Sequence, residues 1–250
     1  MAPTPFRRIS LLGIPIDAVT MDQAVARLLS FLEQQGCAHV ITPNSEMLVE
    51  AAHNEPFRRV LRSSALNLPD SAGLLHAARF THQRLPARVA GVDAVSAFCG
   101  KLTEQQPVFL LGGAPGIAAR AAHSLQKENP FLRIVGTYAG SPSQEEAPGI
   151  VRRINTSGAH VLLVAYGAPA QDLWISEHLR EFKTIRLAMG VGGTFDFLAG
   201  EVRRAPRTFR TMGFEWVWRL LLQPWRIKRI WNAAVVFPFL VLRYGRRGQV

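Results

Sequence analysis

The chain has 250 residues, 48% of them hydrophobic, which suits one large domain with a sizeable core. Its net charge of +11 is uneven: residues 201–250 hold 11 of the 29 Lys and Arg but only 2 of the 18 Asp and Glu. The basicity therefore describes what the C-terminal fifth touches, while the two cysteines, Cys37 and Cys99, form no CxxC and no zinc-ligand spacing, which fits a reducing compartment without requiring one.

The N-terminus has no sustained apolar stretch and reads as neither a signal nor a transit peptide. "RRISLLGIPIDAV" predicts one or two short strands. "TMDQAVARLLSFLEQQG" predicts an amphipathic helix capped by Thr20 and stopped by Gly36. "AHVITPN" is a buried strand, and "SEMLVEAAHNEPFRRVLRSS" is helical with a break near Pro56. "ALNLPD" is a short strand followed by the helix "SAGLLHAARF". "PVFLLGGAPGIAARAAHSLQKENP" reads as strand, glycine turn and helix. "LRIVGTYAG" is a strand, "QEEAPGIVRRINTSG" a helix, "HVLLVAYGAP" a strand, "QDLWISEHLREF" a helix and "TIRLAMGVGG" the last strand. Apolar strands separated by helices imply a mostly parallel α/β sheet covered on both faces.

The alternation stops near Gly200. Residues 1–200 read as an α/β body and residues 201–250 as a basic, Trp-rich helical appendage, with Pro224 splitting it into two helices. Its longest charge-free apolar run, Ile230 to Leu242, contains Pro238 and falls short of the roughly 20 residues of a membrane span. Trp216, Trp218, Trp225 and Trp231 among arginines suit a bilayer interface. The alternative is a helix packed on the body with solvated arginines.

Ligands in open parallel sheets sit at the carboxyl ends of the strands. Those ends supply Thr42 and Asn44, Asp70, Gly112 and Gly113, Gln171, then Gly192, Gly193 and Asp196. Asp70 follows an apolar strand and precedes a helix, so it serves as a cleft carboxylate, as an N-cap, or as both. Thr42 and Asn44 could equally cap the next helix, Arg88 could be a surface arginine, and Gln171 a helix-start residue. "LLGGAPG" fits close approach to a phosphate and fits a tight strand-to-helix turn equally well. Arg219, Arg226 and Arg229 fall within about 80° of one another at helical spacing, and Arg226 and Arg229 keep one face beyond the break at Pro224.

The seven histidines show no metal-ligand spacing and read as core or surface residues. There is no DxD, no GxSxG and no GxGxxG, which disfavours a metal-clasping transferase, a serine hydrolase and a dinucleotide oxidoreductase. No metal and no cofactor is implied. A rival class is a nucleic-acid- or nucleotide-binding protein without transferase activity, using the basic tail; it predicts salt-sensitive binding to DNA or RNA.

Taken together, "TPN", "NLPDSAGLL", "RVAGVD", "FLLGGAPG", "GAPAQD", "GVGGTFDFLAGEVRRAP" and "EWVWRLLLQPWRIKR" resemble the bacterial WecG/TagA/CpsF glycosyltransferase family from about Ile9 to Tyr244. The resemblance implies a Rossmann-like body with a C-terminal appendage. It further implies inverting, metal-independent transfer of a sugar from a UDP-sugar to a polyprenyl-diphosphate-linked sugar. The catalytic aspartate falls on Asp70, and the polar residues near the transferred sugar on Thr42, Asn44, Arg88 and Gln171. The diphosphate arginines fall on Arg219, Arg226 and Arg229. Family donors are N-acetylmannosamine, its uronic acid or glucose, in wall teichoic acid, enterobacterial common antigen or exopolysaccharide assembly. Pro69-Asp70-Ser71 replaces the family's usual Ala-Asp-Gly, and Ala170-Gln171-Asp172 its frequent Lys-Gln-Glu.

With no acidic clasp for a metal, arginines must offset the leaving diphosphate. Gly112, Gly113, Gly192 and Gly193 are expected to approach the nucleotide, with Tyr138 and Asp196 as candidates for uracil stacking and hydrogen bonding. The expected partners are a UDP-sugar, a lipid-linked sugar and an anionic membrane surface, and no nucleic acid; a homo-oligomer is compatible with this. The expected location is the inner face of the plasma membrane.

Overall fold

The computed structural model describes residues 6–202, Trp218 and residues 227–246. The chain opens with a β-hairpin, β1 (Arg8–Leu11) and β2 (Ile14–Asp17), paired antiparallel as a separate two-stranded sheet. Its turn places Leu12 and Gly13 at positive φ, the backbone a tight right-twisted hairpin requires.

Six further strands among the described residues form one all-parallel sheet. They are β3 (Ala38–Ile41), β4 (Leu66–Asn67), β5 (Val108–Gly112), β6 (Ile134–Tyr138), β7 (Val161–Ala165) and β8 (Leu187–Gly190), in the order β4-β3-β8-β7-β5-β6. β5, β7 and β8 are apolar and buried almost throughout because helices cover both faces. Alternate residues of one strand serve opposite layers. Leu110 and Leu163 join α1 (Met21–Leu32), α5 (Gly91–Cys99) and α6 (Ile117–Glu128). Leu111 and Leu162 join α7 (Ala147–Ser157) and α8 (Ala170–His178). The fold is α/β and Rossmann-like.

Local signals explain most boundaries. Thr20 and Gln23 form a reciprocal capping box at the start of α1, which ends at Leu32, four residues before Gly36 closes the turn. Asn44 caps α2 (Ser45–His53), and Asn54 caps α3 (Glu55–Ser63), whose first turn holds Pro56. α4 (Ala72–Phe80) follows β4, and α9 (Thr194–Leu198) follows β8.

The C-terminal part is one helical rod: α10 (Ile227–Trp231), a π-helical turn (Asn232–Val236) and α11 (Phe237–Tyr244). No described helix is long and apolar enough to cross a membrane. Phe237, Leu240 and Val241 are buried in one cluster with Ile9, Leu11, Ile14 and Ile16 of the hairpin and with residues of α2, α3 and α4. The rod's end is fastened by backbone bonds from Leu12 to Gly245 (3.1 Å) and from Gly13 to Arg246 (3.3 Å), while Arg246 Nε donates to the Thr81 carbonyl (2.8 Å). The outward face leaves Ile227, Trp231, Val235, Phe239 and Leu242 exposed at steps of four, four, four and three. That spacing makes a single apolar stripe.

Candidate functional site

The carboxyl ends of β3, β4, β7 and β8 converge on a cavity of about 270 Å³, where an open parallel sheet receives ligands. Thr42, Asn44, Asp70, Arg88, Gln171, Gly192, Gly193, Asp196 and Arg229 all line it. Gly112, Gly113 and Tyr138 are not among its walls. Arg219 and Arg226, like Trp216 and Trp225, lie outside the described residues.

Asp70 leaves β4 with its backbone N–H bonded to the Pro43 carbonyl at 3.0 Å, which fixes it beside the β3 end. It does not cap the helix that follows, since Ser71 occupies the N-cap of α4. Instead Asp70 Oδ1 accepts the first N–H of α5, from Gly91, at 3.1 Å. A carboxylate suits a helix N-terminus because the unpaired N–H groups and the helix dipole both attract an anion. Arg88 is a clamp, not a loose surface arginine. Its Nε donates to the Asp70 carbonyl at 2.6 Å, and its Nη2 stands 3.8 Å from Asp70 Oδ1. Arg88 thus holds both the backbone and the side chain of the aspartate.

Thr42 is buried, and Gly91 packs on it so closely that a Cβ there would lie 3.3 Å from Thr42 Oγ1. Asn44 Oδ1 caps α2 through the Met47 N–H at 3.0 Å. One residue deeper, the hydroxyls of Ser45 and Ser71 meet at 3.0 Å and tie the starts of α2 and α4 together. Gly73 permits that approach, because a side chain there would collide with Ser45.

Gln171 is buried, and its Oε1 accepts the N–H of Gly167 (3.1 Å) and of Gly192 (2.9 Å), joining the loops after β7 and β8. Asp196 sits in the first turn of α9 and faces the cavity. Arg229 enters from α10, and its Nε is 2.6 Å from Glu46 Oε1 on α2.

Gly112 and Gly113 answer to packing. Both have positive φ, a Cβ on Gly112 would lie 2.8 Å from the Ala165 backbone, and Gly113 donates to the Ala165 carbonyl at 3.1 Å. This turn is a close strand-to-helix fit against β7. The ring of Tyr138 carries the Arg153 guanidinium 4.5 Å from its centroid.

Three site features escaped the sequence reading. Tyr166 lines the cavity, and burial pushes its hydroxyl well above the ordinary phenol range, with Glu146 and Tyr138 adding to the shift. Glu46, from the glutamate after "TPN", holds Arg229. His39 and Asp172 form a buried pair behind Gln171, 3.6 Å apart. Position at a strand end could have flagged Tyr166; nothing local marks His39.

The arrangement offers a fixed carboxylate, clamped by an arginine, in a cavity that also receives a cation from the C-terminal rod. It suits proton removal from a hydroxyl next to an anionic leaving group. The model of the Glycosyl transferase WecG/TagA/CpsF family matches residues 9–250, nearly the whole chain. That match joins the cavity and the rod in one family unit, and the chain belongs to this family of glycosyltransferases, which act in cell-surface polysaccharide synthesis.

Proposed function

We propose that the protein transfers one sugar, N-acetylmannosamine, its uronic acid or glucose, from a UDP-sugar to a polyprenyl-diphosphate-linked sugar, with inversion and without a metal. The observation that carries this reading is the meeting of Asp70, Arg88 and Arg229 in one cavity at the strand ends. Asp70 takes the proton of the acceptor hydroxyl as its oxygen bonds to the anomeric carbon from the face opposite UDP. The anomeric carbon–oxygen bond to UDP breaks, and the departing diphosphate gains negative charge. Arg229, with Arg219 and Arg226 of the same segment, offsets that charge; arginine's planar fork matches phosphate oxygens. Gly192, Gly193 and Asp196 receive the nucleotide.

The 1–200 body and the 201–250 appendage act together in this reading, at the inner face of the plasma membrane. The apolar stripe from Ile227 to Leu242 supports it, flanked as it is by Lys228 and Arg243. Such a face lies flat in a bilayer interface, its cations toward anionic headgroups. The product enters wall teichoic acid, common antigen or exopolysaccharide assembly.

The test is UDP release with a panel of UDP-sugars and a short-chain lipid-diphosphate-sugar acceptor, with and without EDTA. Acceptor-dependent UDP release that survives EDTA is the expected result. Salt-sensitive nucleic-acid binding with no transfer from any donor would favour the rival reading. Loss of turnover in EDTA with recovery in Mg²⁺ or Mn²⁺ would overturn the metal-free chemistry.

A further inference from the structure

Behind the cavity wall lies a buried pair that the reaction does not touch. His39, within β3, and Asp172, in the first turn of α8, are 5% and 0% exposed. His39 Nε2 stands 3.6 Å from Asp172 Oδ1, and neither atom has a hydrogen-bond partner among the described residues. Interiors seldom keep such a pair for stability, because desolvating both groups offsets their attraction. Its retention calls for a task.

The task is visible one residue away. Asp172 Oδ2 receives Gln171 Nε2 at 3.5 Å. The other end of that amide, Oε1, gathers the N–H groups of Gly167 and Gly192. A side-chain amide has one accepting and one donating end. Turned over, Gln171 would point its own N–H groups at two N–H donors and its oxygen at a carboxylate. The carboxylate therefore selects the orientation. β8 makes room for it, since a Cβ on Gly190 would collide with Asp172 and lie 2.7 Å from Gln171 Nε2.

We propose that His39 and Asp172 are positioning residues: the pair fixes the Gln171 amide so that its oxygen draws the Gly167 and Gly192 loops together and sets the cavity wall between them. His39 holds the Asp172 carboxylate from the β3 side, and Asp172 holds the amide. Neither residue lines the cavity.

The test reads the two glycine amides directly, in ¹⁵N-labelled full-length protein. Asp172→Ala and His39→Leu should speed hydrogen exchange at Gly167 and Gly192 by about tenfold or more. Exchange at Gly113, whose N–H is held by the Ala165 carbonyl, should stay unchanged. Asp172→Asn keeps an oxygen for Gln171 and should restore most of the protection lost in Asp172→Ala. A uniform rise at all slow amides would reduce the pair to general core packing and overturn the proposal. Unchanged exchange at both glycines would overturn it too. An activity arm rests on the transferase reading: donor KM should rise several-fold in Asp172→Ala, with kcat less affected. A wild-type protein without transfer would sink that reading and leave the exchange result to decide this one.

Discussion

Replacing Asp70 by Asn keeps an oxygen where the Gly91 N–H is received and removes the proton acceptor. Turnover should fall by about 10²- to 10⁴-fold while UDP binding persists, as initial rates and calorimetry would show. Near-normal turnover in the folded variant would remove Asp70 from the base role. Asp172 makes a second residue-scale prediction, of opposite kind. Burial raises its carboxyl above the ordinary 3.8, against a smaller lowering from His39 and Gln171. The folded state therefore binds this proton more tightly than the unfolded chain does. Stability held through this group is full below the ordinary value and is lost as pH rises through the raised one. Asp172→Asn does not titrate, so its melting temperature relative to wild type should be more favourable at about pH 8 than at about pH 4. A relative gain that shrinks as pH rises would contradict burial as the dominant cause.

Among the elements, the rod makes the clearest prediction. Its inward residues Phe237, Leu240 and Val241 hold it to the body, and its outward stripe stays largely exposed. Trp231→Glu or Phe239→Glu should therefore weaken co-sedimentation with anionic vesicles by about tenfold or more, equivalent to roughly 1.4 kcal/mol. The melting temperature and turnover on a soluble short-chain acceptor should stay near wild type. Unaltered vesicle binding would deny the stripe an interfacial role. The strands and longer helices were legible because period and caps agreed, as at Thr20 and Asn44. α5 was not: it starts at Gly91 with no side-chain cap of its own, and its first N–H is satisfied by Asp70 from the loop after β4. α9 is too short to show a period.

At the scale of the whole molecule, the parallel-sheet rule singles out Thr42, Asn44, Asp70, Gln171, Gly192 and Asp196 as strand-end residues, and all six line one cavity. It could not separate strand ends that open on the cavity from those that close on a neighbour. Gly112 and Gly113 differ from Gly192 and Gly193 in what packs on them, and that is tertiary. The His39–Asp172 pair was invisible for the same reason, since its members come from β3 and α8. The rod's place in the hairpin cluster makes a third-scale prediction. A chain ending at Gly200 should melt lower than the full chain and bind a hydrophobic dye, because Ile9, Leu11, Leu48 and Leu74 lose their cover. A truncated body with unchanged melting and no dye binding would show that the rod adds nothing to the core.

The bonds that join Leu12 and Gly13 to Gly245 and Arg246 also set a timetable. Synthesis proceeds from the N-terminus, so the hairpin leaves the ribosome long before the residues that complete its cluster exist. The hairpin cannot be sealed while the sheet is being made, and the nascent protein must carry an uncovered apolar groove until the residues of the rod appear. Ribosome-stalled chains ending before Phe237 should be cut by protease near the hairpin, and chains extended beyond Arg246 and clear of the exit tunnel should resist. Equal resistance in both would mean that the hairpin is sealed without the rod.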